Sequence, residues 1–494
     1  MHRLRPISRC VLVASLAALG ACSGPEPPAR PTVVLITLDT TRAENLSTYG
    51  YRRPTDPFLR SLAQRSRVFE RAYSTGTWTL PSHVSMFSGL HPAEHGCWFR
   101  LDKRDGETLF PVVGDDLPLV TGSLLDAGYS LIGAVGGPFT SSQYGLARDF
   151  DEYIQPSGVD GEWQLAGSAI NARLFPLLAE VDAARPLFLF VNYFDAHAPY
   201  DPPQDRVYPF PAVGELEFME GQRELHPMPD MTEWQAQGWE ILEQHERLAI
   251  ANYDQELLLQ DEALEALMGE LERLGRLDDA LVIVTADHGE MFGEQRGAYG
   301  HSCRPWEPVT RVPLVVYRSG GPVDRRREPA SVAQIAATIL DELGLTQLPP
   351  GAAGPVPSLL ASSPTPPEAL VEFRTPDEWV GAVHAGNLKL VVDWHARDSA
   401  LGERDALLID LDSNPSEDPD RVPRTTAWNA TREPLLERAE ALHAKWLAWP
   451  EMARLEVLDG NQIAGLAALG YLTERAPETV EGAPPVPEAT TGDY

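Results

Sequence analysis

Two short runs of Val, Leu and Ile, each ended by an acid, limit what this chain can fold into more than any other feature. Val33-Val34-Leu35-Ile36-Thr37-Leu38 runs into Asp39, and Leu281-Val282-Ile283-Val284-Thr285-Ala286 runs into Asp287-His288-Gly289. Runs this short and this rich in β-branched residues read as parallel strands buried on both faces. Open, doubly wound α/β sheets place their sites at the carboxyl ends of such strands. A third segment, Thr79-Leu80-Pro81-Ser82-His83, opens a helix-like stretch with a hydroxyl at its start. Singly, each of these residues reads as a cap or a turn residue. Together, two carboxylates, an imidazole and a hydroxyl would suit a divalent cation with oxygen and nitrogen ligands beside a nucleophile.

With 494 residues the chain can bury a core large enough for one big α/β domain and a smaller one, which excludes a peptide-sized binding module. Its start carries Arg3, Arg5 and Arg9, then an apolar stretch over 11–19, then Leu19-Gly20-Ala21-Cys22. This reads as an export signal over 1–21 that ends at a cysteine, as in bacterial lipoproteins. Cys22 would then be the lipidated first residue, anchoring the protein to the cell envelope, and 22–31 a Pro-rich tether. The apolar run is too short to span a bilayer. The formal charge of −32 would repel phosphate backbones, so nucleic acid is an unsuitable partner. Cys97 and Cys303 are the remaining cysteines of the mature chain, and spacing alone does not show whether they pair.

Strands and helices alternate over 32–350, the pattern of a doubly wound sheet. Expected elements include helices over 57–62, 169–181 and 331–343, strands over 129–134 and 187–191, and a long helix over 232–274. Leu257, Asp261, Leu264, Leu267, Leu271 and Leu274 recur there at helical spacing, and Gly275 ends it. Residues 351–367 read as a linker rich in Pro, Gly, Ala and Ser. Four short strands over 369–373, 380–384, 388–392 and 407–411 would form a small subdomain over 368–420. A helical segment follows over 421–475, with helices at 434–447 and 462–471. The Pro- and acid-rich tail over 476–494 has the composition of disordered chain.

Six ordered segments resemble the sulfatase family of the alkaline-phosphatase superfamily. They are residues 33–51, WTLPSHVSMFSGLHP at 78–92, FDAHAPYDPP at 194–203, VTADHGEMFGE at 284–294, RVPLVVY at 311–317 and 408–418, which contains IDLDSNPSED. The resemblance implies an alkaline-phosphatase-like α/β fold, a doubly wound mixed sheet with a small C-terminal antiparallel subdomain. It also implies a metal-dependent hydrolase of sulfate or phosphate-type esters, with Thr79 at the position of the nucleophile.

The resemblance places the metal on Asp39, Thr79, Asp287 and His288 and the catalytic groups at Thr79, His83, His197 and His301. The chain departs from the family at several of these positions. Sulfatases carry a Cys or Ser that becomes formylglycine where Thr79 stands, and a secondary alcohol could yield only a ketone, so no formylglycine is expected. Thr nucleophiles occur in relatives acting on phosphoesters, such as nucleotide pyrophosphatases and lipoteichoic-acid-type phosphoglycerol transferases. His83 stands where the motif has Arg, and would be cationic only when protonated. Thr40 replaces a second acidic ligand after Asp39, a leaner set like that of phosphonate monoester hydrolases. One divalent ion, Ca, Mn or Zn, is expected. Gly136-Gly137-Pro138-Phe139 stands where arylsulfatases grip the sulfate; these glycines form either a backbone anion contact or a plain turn.

By the resemblance, His197 matches a histidine that contacts the scissile ester oxygen, and His301 lies where a basic residue often assists the leaving group. Asp195, His197 and His301 form an alternative second-metal set. Glu290 is expected to support His288, and Lys389 to approach the substrate from the small subdomain. The expected chemistry is ester hydrolysis through a covalent Thr79 intermediate, with phosphoester or phosphonate substrates preferred. The substrate would be a small-molecule, glycan or lipid ester. Transfer of the same group to a sugar or lipid hydroxyl, and a catalytically silent carbohydrate-binding protein, are the alternatives.

Overall fold

A computed structural model of the chain describes residues 30–463, except 101, 105–106, 159–161, 204–205, 210–238, 296–298, 362–367, 377, 395–405, 424, 451 and 461–462. The export signal, Cys22, most of the terminal helix expected at 462–471 and the acid-rich tail lie outside the described residues, as does most of the linker's second half. Among the described residues, no helix is long and apolar enough to cross a membrane.

Eight strands build the central sheet: β1 (Thr32–Leu38), β2 (Arg67–Phe69), β3 (Ser130–Val135), β4 (Glu152–Ile154), β5 (Leu187–Tyr193), β6 (Ala280–Thr285), β7 (Leu314–Arg318) and β8 (Asp324–Arg326). Their lateral order is β8-β2-β7-β6-β1-β5-β3-β4. β1 lies parallel between β5 and β6, while β7 runs antiparallel to β6, so the sheet is mixed. The unbroken apolar runs follow from burial on two sides. Val33 and Leu35 join one core, and Val34 and Ile36 join the other; Leu281 and Ile283 are likewise opposed to Val282 and Val284.

Helices cover both faces. α1 (Pro57–Ala63), α3 (Gly167–Glu180) and the long α4 (Trp239–Arg273) send Leu59, Leu174, Leu257, Leu264 and Leu267 into one core. α2 (Thr79–Ser88) and α5 (Gln334–Glu342) send Val84, Phe87, Ile335 and Ile339 into the other. Gly275, at φ 66°, provides the left-handed turn after α4. The sequence places Asp56 at the start of α1, where it would ordinarily cap. Its carboxylate instead accepts from Ser47 N–H at 2.5 Å, and Asp261 of α4 accepts from Phe58 and Leu59 N–H at 2.7 and 2.8 Å.

The expected four-stranded subdomain is present as an antiparallel sheet: β9 (Glu368–Arg374), β10 (Trp379–Ala385), β11 (Leu388–Asp393) and β12 (Ala406–Asp410), in that order. α6 (Thr426–Leu447) packs Ala439, Leu442 and Trp446 against Trp379 and Trp394 of this sheet. It begins two turns before the expected Pro434, because Thr425 Oγ1 accepts the Trp428 N–H at 3.2 Å and nucleates an earlier turn. A further strand, Arg454–Val457, returns to pair with Glu107–Val112, a partner too distant in sequence to be anticipated.

Glu372 of β9 fastens this subdomain behind α2. Its N–H donates to the Thr75 carbonyl at 2.8 Å, and its buried carboxylate accepts from Ala93 N–H and Trp379 Nε1 at 3.3 and 3.1 Å. Burial pushes its pKa up from 4.5 to about 8. A folded pKa above the unfolded one means that the stabilisation is complete below pH 4.5 and is lost as pH rises through about 8. The resistance of wild type to denaturant should therefore fall over that window, and Glu372→Gln should flatten the dependence.

Candidate active site

The register of the sheet brings the two acid-terminated runs together. Thr37 of β1 faces Thr285 of β6 on one side and Asn192 of β5 on the other, so Asp39 and Asp287 leave the sheet side by side. Asp39, Asp287 and His288 are all fully buried, and one ligand atom from each lies within 4.8 Å of the others. His288 Nε2 is 3.3 Å from Asp287 Oδ2 and 4.0 Å from Asp39 Oδ1. Thr79 is the first residue of α2, with Trp78 in the cap position, and its Oγ1 lies 3.3 Å from the same His288 nitrogen.

The donor atoms suit a divalent cation. Asp39 Oδ1 and Asp287 Oδ2 are buried oxygens with no hydrogen-bond partner. Burial, and then the Asp287 charge, raise the Asp39 pKa well above the usual carboxylate range. Two dehydrated carboxylates facing each other with orphan oxygens are what a bound cation neutralises. His288 Nδ1 lies 2.9 Å from the Gly289 carbonyl, which can only accept; Nδ1 therefore carries the proton and Nε2 turns its lone pair toward the carboxylates.

Asn192 organises the floor of this cluster. Its Nδ2 donates to Asp39 Oδ2 at 3.1 Å and to Thr37 Oγ1 at 3.0 Å. Thr37 Oγ1 is 3.0 Å from His83 Nε2, and His83 Nδ1 is 2.9 Å from the Thr79 carbonyl. The carbonyl end sets the direction: His83 Nδ1–H donates to it, Thr37 O–H donates to His83 Nε2, and Thr37 accepts from Asn192. His83 thus bonds the backbone of Thr79 rather than its hydroxyl, and burial lowers its pKa, which favours the neutral ring. On the other side, Gln260 of α4 donates to the Tyr193 carbonyl at 3.3 Å and accepts from Thr41 Oγ1 at 3.0 Å, holding the turn after β1 in which Thr40 has φ 53°.

The two remaining histidines line the same cluster. The His301 ring lies 4.4 Å from the His288 ring and 5.1 Å from that of His197, centroid to centroid. His197 stacks on Phe194 at 4.2 Å, with Nδ1 at 2.7 Å from the Ala198 carbonyl. Glu290, expected against His288, hydrogen-bonds instead with His301 Nδ1 at 3.1 Å and Tyr200 OH at 2.8 Å; His288 has already committed its Nδ1 to a backbone carbonyl. Asp195 turns away to accept the Gly167 N–H at the start of α3, at 3.0 Å to each oxygen. It does not join His197 and His301 as a metal set, and Asp39, Asp287 and His288 are the one such group found among the described residues.

Residues 31–345 match the family model described as sulfatase. The chain belongs to the sulfatase family. Among curated proteins it resembles the choline-sulfatase of Rhizobium meliloti (strain 1021), 28% identical over 185 residues, which is 36% of this chain and 35% of that protein. The chain thus matches about a third of that relative's length. Among solved structures it resembles the phosphonate monoester hydrolase of Agrobacterium radiobacter, with a TM-score of 0.63, 18% identity and coverage of 84% of this chain and 96% of that one. A structure solved in complex with its substrate D-glucosamine-2-N,6-O-disulfate gives a TM-score of 0.64 at 16% identity, covering 84% and 98%. The fold is that of the alkaline-phosphatase superfamily, and enzymes of the sulfatase family are metal-dependent.

The packing of this family member decides two further readings: the glycines at 136 and 137 take the plain-turn alternative, and Lys389 departs from its expected place. Gly136 donates its N–H to the Asn192 carbonyl at 2.9 Å, so it is not free for an anion. A Cβ at Gly137 would come within 2.3 Å of the Phe194 ring, so that glycine makes room for the ring that stacks on His197. Lys389 is fully buried, with Nζ at 2.6 Å from Glu417 Oε1, and does not face a substrate. No disulfide joins Cys97 and Cys303. The residues missed by sequence reasoning are Asn192, Thr37 and Gln260. The legible signal was a polar residue inside a buried apolar strand, LFLFVNY for Asn192.

Loss of the Asn192 amide should free the Asp39 carboxylate to rotate. Asn192→Leu is expected to weaken divalent-metal affinity by about 10–100-fold, measured by titration calorimetry on the metal-stripped protein.

Proposed function

We propose that the protein is an exported, lipid-anchored hydrolase that cleaves phosphoester or phosphonate ester bonds through Thr79, in preference to sulfate esters. One observation carries the reading: the Thr79 hydroxyl stands 3.3 Å from His288 Nε2, beside two buried carboxylate oxygens without partners. The resemblance to phosphonate monoester hydrolase structures supports the fold, and a threonine cannot supply the formylglycine of ordinary sulfatases.

When bound by Asp39, Asp287 and His288, a divalent cation would lower the pKa of a nearby hydroxyl and offset charge gathered at the reacting phosphorus. Thr79 Oγ1 gives up its proton and forms the new P–O bond as the ester P–O bond to the alcohol breaks. The alcohol oxygen leaves with the bonding pair and takes a proton. Water then attacks phosphorus, the P–OThr79 bond breaks, and Thr79 recovers its hydroxyl. His197 and His301 fit the proton transfers, since each commits Nδ1 to an acceptor and thereby orients its ring. The start of α2 adds backbone N–H dipoles where anionic charge develops. His83 and Thr37 hold the Thr79 turn without contributing a formal positive charge, which leaves charge compensation to the cation and the helix terminus.

Hydrolysis of nitrophenyl phosphate, phosphodiester, phosphonate and sulfate esters should be compared with Mn, Zn or Ca present. Phosphoester or phosphonate turnover is expected to lead, and to fall by at least ~10³-fold in Thr79→Ala. Leading sulfate turnover would overturn the substrate preference, and turnover surviving in Thr79→Ala would remove Thr79 as nucleophile. The anchor is tested separately: Cys22→Ala should move the protein from the membrane to the soluble fraction of a bacterial host, and a protein that stays soluble with Cys22 intact counts against lipidation.

A further inference from the structure

The segment that carries His301 is strapped to the small antiparallel subdomain by buried charges that ester cleavage does not use. Lys389 of β11 places Nζ 2.6 Å from Glu417 Oε1, 3.3 Å from Glu307 Oε1 and 2.5 Å from the Pro305 carbonyl. The Lys389 and Glu417 side chains have 0% exposure and that of Glu307 has 11%. Glu417 Oε2 also accepts the Glu307 N–H at 2.6 Å. Nearer the surface, Arg304 reaches Glu378 and Asp393 of the subdomain at 2.9 and 2.7 Å. Gln295 Nε2 donates to the Ser416 carbonyl at 2.8 Å, so the segment is held on both sides of His301.

The other attachment of the segment is to the nucleophile turn. Ser302, held at φ 59°, donates its N–H to the Thr77 carbonyl at 2.8 Å, two residues before Thr79. His301 therefore sits between an anchor on the Thr79 turn and an anchor on the subdomain. A buried ion cluster adds little stability over apolar packing, but every misaligned arrangement leaves a dehydrated charge unpaired, so it selects one geometry.

We infer that the subdomain acts as a clamp on the His301 segment, with Lys389 as its positioning residue. The inference rests on the proposed role of His301, but the clamp itself has a readout independent of that chemistry. Cys303 lies inside the strapped segment with its Sγ 3.7 Å from Met291 Sδ, so its rate of reaction with a thiol reagent reports opening of the segment.

The test compares wild type, Lys389→Met and the double variant Lys389→Met/Glu417→Gln, the last leaving neither charge of the central pair unmatched. Melting temperature, Cys303 labelling read by peptide mass, bound metal and steady-state kinetics are measured on each. The double variant should melt near wild type and keep its metal, label Cys303 faster, and lose kcat by about 10²-fold with KM little changed. A double variant that melts like wild type with Cys303 labelling and kcat unchanged would overturn the clamp. Should both buried variants fail to fold, the half-exposed Arg304→Ala decides: slower turnover with faster labelling supports the clamp, and no change in either sinks it. If wild type cleaves no ester at all, the proposed hydrolysis falls, while the labelling comparison still decides whether the clamp exists.

Discussion

Two carboxylate oxygens that face each other without hydrogen-bond partners are the constraint around which the rest of this molecule is arranged. Asp39 Oδ1 and Asp287 Oδ2 are dehydrated and mutually repulsive. Burial of such a pair is costly unless something cationic compensates it. The protein meets only part of that demand. Asn192 donates to the other oxygen of Asp39, and the Thr40 and His288 N–H groups donate to Asp287 Oδ1, at 3.3 and 2.9 Å. The two unsatisfied oxygens are left aimed at one point, with His288 Nε2 beside them. Neutral donors thus orient the carboxylates while leaving the net charge to be balanced by a cation.

The sheet and its covering helices exist at the site as rigid references. The parallel register of β1 with β5 and β6 sets Thr37 level with Asn192 and Thr285, so Asp39 and Asp287 emerge side by side two residues beyond that level, and no residue in those strands can slip without turning its side chain to the opposite core. α4 contributes from the far side through Gln260 and Tyr253, whose hydroxyl donates to the Thr40 carbonyl at 2.7 Å. The small subdomain contributes through Glu372 behind α2 and through Lys389 and Glu417 beyond His301. A site assembled from strand ends, a helix start and a strapped loop is thereby held from three directions.

Much of this was legible in the sequence because it depends on local pattern. Unbroken apolar runs ended by acids gave the parallel core and the metal-suited cluster. Helical spacing over Leu257 to Leu271 marked α4, and four short apolar stretches after the linker marked the antiparallel sheet. Two departures share one cause: a polar side chain that could bond a near neighbour bonds a residue farther along the chain instead. Asp56 caps Ser47 and Thr48 rather than α1, and Glu290 joins His301 eleven residues away rather than His288 two away. Lys389 found two acids from distant segments in the interior, so burial rather than solvent or substrate became its environment.

The sequence by itself determined the elements and the chemical types at their ends, since periodicity and propensity act over a few residues. It placed a hydroxyl, two carboxylates and an imidazole at strand and helix termini. Tertiary structure alone decided which nitrogen of each histidine faces the cluster, which amide steadies Asp39, and which charges strap the His301 segment. Those choices are made by hydrogen bonds between residues up to 155 positions apart within the floor of the site, such as Asn192 to Thr37, and no local rule reaches that far.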